Sequence, residues 1–402
     1  MSRTRLFSTL CGQAFLVNFS RVVMAPLVAV FIATFGIGES TAGLVVSAVW
    51  VGSALPRIPT GYLLTKFSRL HVVILAGLVL AVGATLVAIA PGVTALVVGA
   101  GVMGLSSGLY FVTGNTFVSE LFPSRVGRML GIHGTANQVA AVVAAPAITL
   151  VLAAGADWEP VFAAVGVAGG EEWRAVFLAL AAASLVLTVV TYLAGRETEL
   201  PEAGMEDRDL VGAARAEWRT ILFGVAILGT IGFAWQGVFN FYVLFAESRG
   251  LTPSMARNAL TVVFAAGIPA FAISGRLADY LPQPAYLLGI ATAFALLLFT
   301  LTVVQGTVSL LLFSAVIGYV IHSLFPALDT FLLGALPDGN RASAYSVYSG
   351  AMMFAQAPGS WFVGTLVESG VAYTTVFRGF AVGVSVVVLA LLLFHQRGRL
   401  PE

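Results

Sequence analysis

Charge is what this chain has least of. Asp, Glu, Lys and Arg together make up 10% of 402 residues, where a soluble domain carries roughly a quarter. A fully water-facing surface cannot be built from so few charges. The single cysteine, Cys11, excludes an intrachain disulfide framework and a cysteine-based zinc site. A net charge of +1 without a basic patch excludes a nucleic-acid role. There is no P-loop, no dinucleotide fingerprint and no HExxH, so neither ATP-driven transport by this chain nor zinc hydrolysis is expected. No cofactor and no metal are expected. The lone lysine, Lys66, stands among nineteen arginines and carries no functional signal.

What is present is hydrocarbon. Apolar residues make up 59% of the chain and the mean hydropathy is +0.96, the composition of a membrane protein. A helix needs about 20 apolar residues to cross a bilayer. With Gly/Pro clusters and charges as punctuation, the sequence divides into twelve runs near 7–35, 41–65, 71–90, 93–121, 127–154, 173–195, 219–246, 254–280, 285–304, 307–336, 341–367 and 373–395. The opening MSRTRLF resembles a signal-peptide n-region. The apolar run behind it extends to about Thr34 without a small-residue cleavage site, so it reads as a retained span. The longest polar interval, 196–218, is too short for a domain and reads as a charged amphipathic linker. An all-α membrane protein is expected, with six-helix bundles at 1–195 and 219–402 joined by a cytoplasmic linker.

Orientation follows from the arginines. With the N-terminus inside, fourteen Lys and Arg fall in cytoplasmic segments and four, Arg174, Arg249, Arg257 and Arg378, fall outside. This positive-inside bias puts both termini in the cytoplasm and the chain in the cytoplasmic membrane. The halves also repeat. Gly61-Tyr-Leu-Leu-Thr65-Lys-Phe closes the second span, and Gly275-Arg276-Leu-Ala-Asp279-Tyr-Leu closes the eighth, 214 residues later. The same offset carries Asn115 onto Asp329 and Pro123 onto Pro337. Ala145-Pro146 and Ala357-Pro358 recur at nearly that spacing. Such repeats mark duplicated, pseudo-symmetric bundles with a site between them.

On the Gly275-Arg-Leu-Ala-Asp279 stretch and its degenerate partner Gly61 to Arg69, the chain resembles the major facilitator superfamily over essentially its full length. The resemblance implies a twelve-helix fold working by alternating access. It also implies gating roles for Asp279, Arg276, Gly61 and Gly275, which close the cytoplasmic side. The first half departs from the motif at Thr65 and Ser68, so the latch should be lopsided.

A charged group deep in a span faces the bundle interior, pairs with something or lines a path. Arg21 lies about 14 residues into the first run, roughly 21 Å deep, with Asn18 one turn earlier. It reads either as an anion ligand or as a structural clamp. Arg57, in Leu55-Pro-Arg-Ile-Pro59, is either a second anion ligand or the partner of freed carbonyls or of Asp329. Its Arg-Ile-Pro stretch resembles the second span of the nitrate/nitrite porters. Those carry a second arginine in the eighth span, where the offset here gives Phe271, so nitrate itself is not expected. Asp329 is the one carboxylate placed well inside the hydrocarbon, a proton carrier or a fixed partner of Arg57. His322 and His133 could bind solute or titrate, His322 as part of the proton route, and either could simply pack. Asn115 and the ledges His133/Asn137, Gln236/Asn240 and Tyr348/Met352/Gln356 complete the candidate solute ligands, although such residues also glue helices together. Gly104-Leu-Ser106-Ser-Gly108 matches the esterase pattern but lies within a span, where small residues serve close packing.

The expected function is secondary transport of a small polar solute, anionic by the arginines, with protons as a candidate coupling ion and the chain acting as a monomer. A drug-type proton-coupled exporter is the alternative. Against it, the fourth span lacks the arginine of the family's antiporters, and the fifth lacks their glycine-flanked Gly-Pro. A receptor or lipid-moving protein on the same fold belongs to another class. The absence of a soluble segment beyond about 25 residues argues against an output domain.

Overall fold

The computed structural model describes residues 2–164, 171–198, 209–337, 341–398 and 400, and all regular structure among them is helical. Among the described residues, eleven helical stretches are long and apolar enough to cross a membrane. The twelfth crossing, eleventh in the chain, is made of two shorter helices, Arg341–Gln356 and Gly359–Glu368, that meet at Ala357-Pro358. Proline has no N–H to donate to the preceding turn, and the helix restarts behind it.

Similar interruptions sit where the sequence puts Pro or Gly. The first span runs Ser2–Val22, tightens into a 3-10 turn at Ala25–Leu27 around Pro26, and continues as Val28–Phe35. The second is Glu39–Ala54 followed by Arg57–Lys66, parted at Leu55-Pro56. The seventh comprises Trp218–Gly224, a π-helical turn at Val225–Gly229, Thr230–Asn240 and Tyr242–Ser248. The third to sixth spans are Arg69–Ala88, Val93–Leu121, Val126–Ala154 and Arg174–Arg196. The eighth is Pro253–Ala265 with Gly267–Tyr280, then come Gln283–Leu301 and Thr307–Ala335, and Tyr373–Gln396 is the twelfth. Pro146 and Pro326 sit inside helices that continue past them.

The first span begins five residues before the expected start, because Arg3 and Arg5 are helical. Long arginine stems can lie along the helix while their heads reach water. Of the expected linker, Leu210–Ala216 is a short helix capped by the Asp209 carboxylate, which accepts the Gly212 N–H at 2.7 Å. Residues 199–208 lie outside the described part.

The chain forms two compact units, Met1–Ile37 with Leu44–Arg208, and Gly38–Gly43 with Asp209–Glu402. In the first, a Cβ added at Gly104 would overlap the Val49 carbonyl oxygen, so the second and fourth spans touch backbone to backbone there. In the second, a Cβ at Gly318 would overlap the Val263 carbonyl oxygen in the same way. Both members of the pair are shifted by 214 residues, so the repeat read from the sequence is a repeated contact. The G-x-S-x-G match is thereby a packing seam. Ser106 donates to the Met103 carbonyl at 2.6 Å and is fully buried.

At the end read as cytoplasmic, Arg69 and Glu120 form an ion pair at 2.5 Å between the third and fourth spans. Thr65, where the motif has a carboxylate, donates to the Tyr62 carbonyl of its own helix at 2.8 Å. Gly61 is buried, Gly275 half-buried and Arg276 exposed. The side chain of Asp279 lies outside the described part.

Candidate functional site

The first unit builds a cage around one charge. Arg21 sits in the last turn before the Pro26 interruption, at the end of a helix where carbonyl groups favour a cation. Its guanidinium lies over two rings, 4.8 Å from the centroid of Trp50 and 4.9 Å from that of Phe111. Stacking of this kind stabilises a desolvated cation by about 2 kcal/mol. Nη2 donates to Asn18 Oδ1 at 2.6 Å and Nη1 to Ser107 Oγ at 3.1 Å. Asn18 Nδ2 in turn donates to the Asn137 carbonyl at 2.7 Å, and Ser107 shares a hydrogen bond with Ser53 at 2.9 Å. The first, second, fourth and fifth spans are thus tied to one guanidinium.

Every group in that cage is neutral. Among the described residues Arg21 forms no ion pair. It uses two of its five N–H donors, and Nε is buried without a hydrogen-bond partner. A like charge acts on it, that of Arg57, half-buried in the Leu55-Pro59 break of the second span. A guanidinium held by neutral dipoles, next to a second one, costs desolvation energy that an arriving anion offsets. The planar fork fits a carboxylate or oxyanion with two parallel bonds.

Among the residues singled out from sequence, Asn18, Arg21 and Asn137 come together, with Arg57 within electrostatic reach. Asn137 Oδ1 is buried without a hydrogen-bond partner. Asn115 does not join them; it is exposed, one turn beyond Phe111. His133 is 2% exposed, and its Nε2 shares a hydrogen bond with Tyr110 Oη at 2.9 Å, while Tyr110 donates to the Leu10 carbonyl. This arrangement fits the packing alternative for His133. Trp50, Ser53, Ser107 and Phe111 were missed. Alternation of small polar and aromatic residues on one face of the fourth span, Ser107 and Phe111 four apart, was the available signal.

The second unit places different chemistry at the same register. The 214-residue offset carries Arg21 to Trp235, Trp50 to Phe264, Arg57 to Phe271 and Phe111 to Phe325. These four rings surround His322. Its ring centroid lies 6.1 Å from Trp235, 5.6 Å from Phe264, 6.3 Å from Phe271 and 6.2 Å from Phe325. Nδ1 is 2.7 Å from the Gly318 carbonyl and so carries the proton, leaving Nε2 as an acceptor.

Beside it, Gln236, Asn240, Gln356 and Ser360 form a buried amide network. Gln236 Nε2 donates to Gln356 Oε1 at 3.3 Å, and Asn240 Nδ2 donates to Ser360 Oγ at 2.8 Å. Gln356 also donates to the sulfurs of Met352 and Met353. The ledges read from sequence are therefore bonded across the break at Ala357-Pro358. Asn240 Oδ1 alone is buried without a hydrogen-bond partner. Two turns beyond His322 on the tenth span, half-buried Asp329 accepts from Tyr345 Oη at 2.8 Å.

The sequence model of the Major Facilitator Superfamily matches residues 10–305. No curated protein sequence matches the chain. Among solved structures, a D-xylose-proton symporter is similar with a TM-score of 0.78 at 17% identity, over 100% of this chain and 98% of that one. A bacterial homologue of the human lysosomal transporter Spinster, inward-facing and occupied, gives a TM-score of 0.76 at 17% identity over 98% and 96%. The xylose transporter XylE from E. coli, partially occluded and inward open, gives 0.76 at 14% over 98% and 99%. At these identities the likeness shows the fold.

Proposed function

The chain belongs to the Major Facilitator Superfamily, and on that premise we propose that it moves a small anionic solute by alternating access, with Arg21 as the anion ligand. It is a multi-pass membrane transporter by family and fold. The observation that carries the anionic reading is the uncompensated guanidinium. Arg21 is held by Asn18 and Ser107, set over Trp50 and Phe111, and left with three N–H donors to spare. Asn18 and Asn137 would orient the solute, and Arg57 would add field. Asp329, with Tyr345 as its hydrogen-bond donor, is the group we assign to proton coupling. His322, buried and bonded to a carbonyl, suits a fixed acceptor better than a proton carrier. Asp279, Arg276, Gly61 and Gly275 retain the proposed gating role, joined by the Arg69–Glu120 pair.

The arginine distribution supports a cytoplasmic-membrane protein with both termini inside, and the same reading keeps a monomer with bundles at 1–195 and 219–402 and a linker at 196–218. In a Cys11→Ser background, cysteine at Gly92 should react with an impermeant maleimide from outside, and cysteine at Gly127 should not. Both glycines leave open space for a side chain. Reaction of Gly127→Cys alone from outside would reverse the orientation.

A second reading, a neutral polyhydroxylated solute, is favoured by the amide network and the spare acceptor of Asn240. A thermal-shift series with benzoate, L-lactate and inorganic phosphate against D-xylose separates the two, since a ligand bound only to the native state raises its melting temperature. Stabilisation by an anion and not by xylose supports the first reading. Stabilisation by xylose alone replaces it with the second.

A further inference from the structure

On the second unit, a groove of about 740 Å³ opens between the start of the seventh span and the end of the twelfth. Trp218, Leu222 and Ala226 are spaced by four and line one wall from a single helical face. Leu391 and Phe394 line the other. The twelfth helix stops at Gln396, and Gly398, in a left-handed conformation with φ 60°, turns the chain so that Leu400 covers the end of the groove. The body of the groove is apolar and the rim is cationic. Arg219 is exposed, stacks on Trp218 at 5.5 Å and forms no ion pair among the described residues. Glu217 lies two residues back, in the bend that precedes the helix. Arg397 is also exposed at this end.

We propose that this groove holds one anionic phospholipid, with an acyl chain along Leu222, Ala226, Leu391 and Phe394 and the phosphate at Arg219. Three observations argue for this occupant. The groove lies at the end of two spans, at the depth where a tryptophan and an arginine meet lipid headgroups. Its length runs into the hydrocarbon, where the competing occupant is lipid and not water. Among the described residues that line it, the one charged side chain, Arg219, is positive, and basic pockets between spans select anionic headgroups.

The site also has something to act on. Ala226 belongs to the π-helical turn Val225–Gly229, and such turns recur at functional positions because their hydrogen bonds rearrange readily. A chain packed on Ala226 would hold that turn in place. The choice of leaflet rests on the proposed orientation; the binding itself does not, nor does it rest on the identity of the solute.

The experiment is native mass spectrometry of the full chain in detergent with a dioleoyl phosphatidylglycerol and the matching phosphatidylcholine. Variants are Arg219→Gln and Leu222→Trp, both exposed positions. The wild type should retain one phosphatidylglycerol about fivefold more strongly than phosphatidylcholine, the worth of a single interfacial arginine. Arg219→Gln should bind both alike, and Leu222→Trp, with the groove filled, should bind neither there. Hydrogen exchange over Val225–Gly229 should be slower with phosphatidylglycerol in the wild type and indifferent to headgroup in Arg219→Gln. Equal retention of both lipids by the wild type overturns the proposal. So does wild-type retention by both variants.

Discussion

Residues 21 and 235 stand at the same place in two copies of one helix bundle, and they carry opposite chemistry. The seam that holds each copy together is preserved, Gly104 against Val49 and Gly318 against Val263. What changed is the lining. In the first unit a guanidinium sits over Trp50 and Phe111 with serine and asparagine at its donors. In the second an indole takes its place, Phe271 replaces Arg57, and a histidine fills the space among the rings. Packing glycines are constrained by backbone contact, which a single methyl group would break. Lining residues are constrained only by what they touch, so the copies could diverge there and share no chemistry.

The comparison breaks first at the seams. Gly104→Leu and Gly318→Leu each drive a side chain into a facing carbonyl, and overpacking of this kind costs about 3 kcal/mol or more. Both variants are expected to lose monodispersity on gel filtration. Tolerance of one and not the other would show that the seams are not equivalent. Next, Asn240→Leu removes a donor to Ser360 at a fully buried position of the second unit. Buried polar deletions cost about 1–3 kcal/mol, so a lower melting temperature with unchanged anion affinity is expected. Asn18→Leu in the first unit should do the reverse in kind, weakening anion affinity about tenfold because Arg21 loses its orienting acceptor.

A smaller change comes from the rings. Phe111→Leu removes one of the two rings under the cation, worth about 1 kcal/mol, and should lower anion affinity about fivefold. The corresponding Phe325→Leu should leave that affinity unchanged. Asp329→Asn is expected to keep anion binding and to abolish the acceleration of counterflow-independent uptake by an inward proton gradient in proteoliposomes. Uptake that still follows the gradient would remove Asp329 from the coupling role.

The sequence conveyed the scaffold well, because spans are long and repeat signals survive in glycines, prolines and loop motifs. The fourth span was legible to the residue, Val93–Leu121. Breaks were less so. Proline marks a site of weakness, yet the helix passes over Pro146 and parts at Pro56. Within the site, charge drew attention to Arg21 and Arg57, while Trp50, Ser53 and Phe111 read as ordinary span residues. Aromatic and small polar side chains acquire a role only by facing a charge, and facing is a tertiary property. The partner of His133 was hidden for the same reason, since Tyr110 lies on another helix.

The central claim is that one unpaired positive charge, at register 21 and not at 235, selects the solute. Calorimetric titration of the stabilising anion into purified wild type, Arg21→Gln, Arg21→Lys and Trp235→Phe tests it. Arg21→Gln should lose about 100-fold or more in affinity, the range for removing a buried charge from a hydrogen-bonded pair, while staying monodisperse. Arg21→Lys should lose about tenfold, keeping the charge without the fork, and Trp235→Phe should stay near wild type. Normal anion binding by Arg21→Gln, or failure of that variant to fold, would make Arg21 a structural clamp and contradict the account.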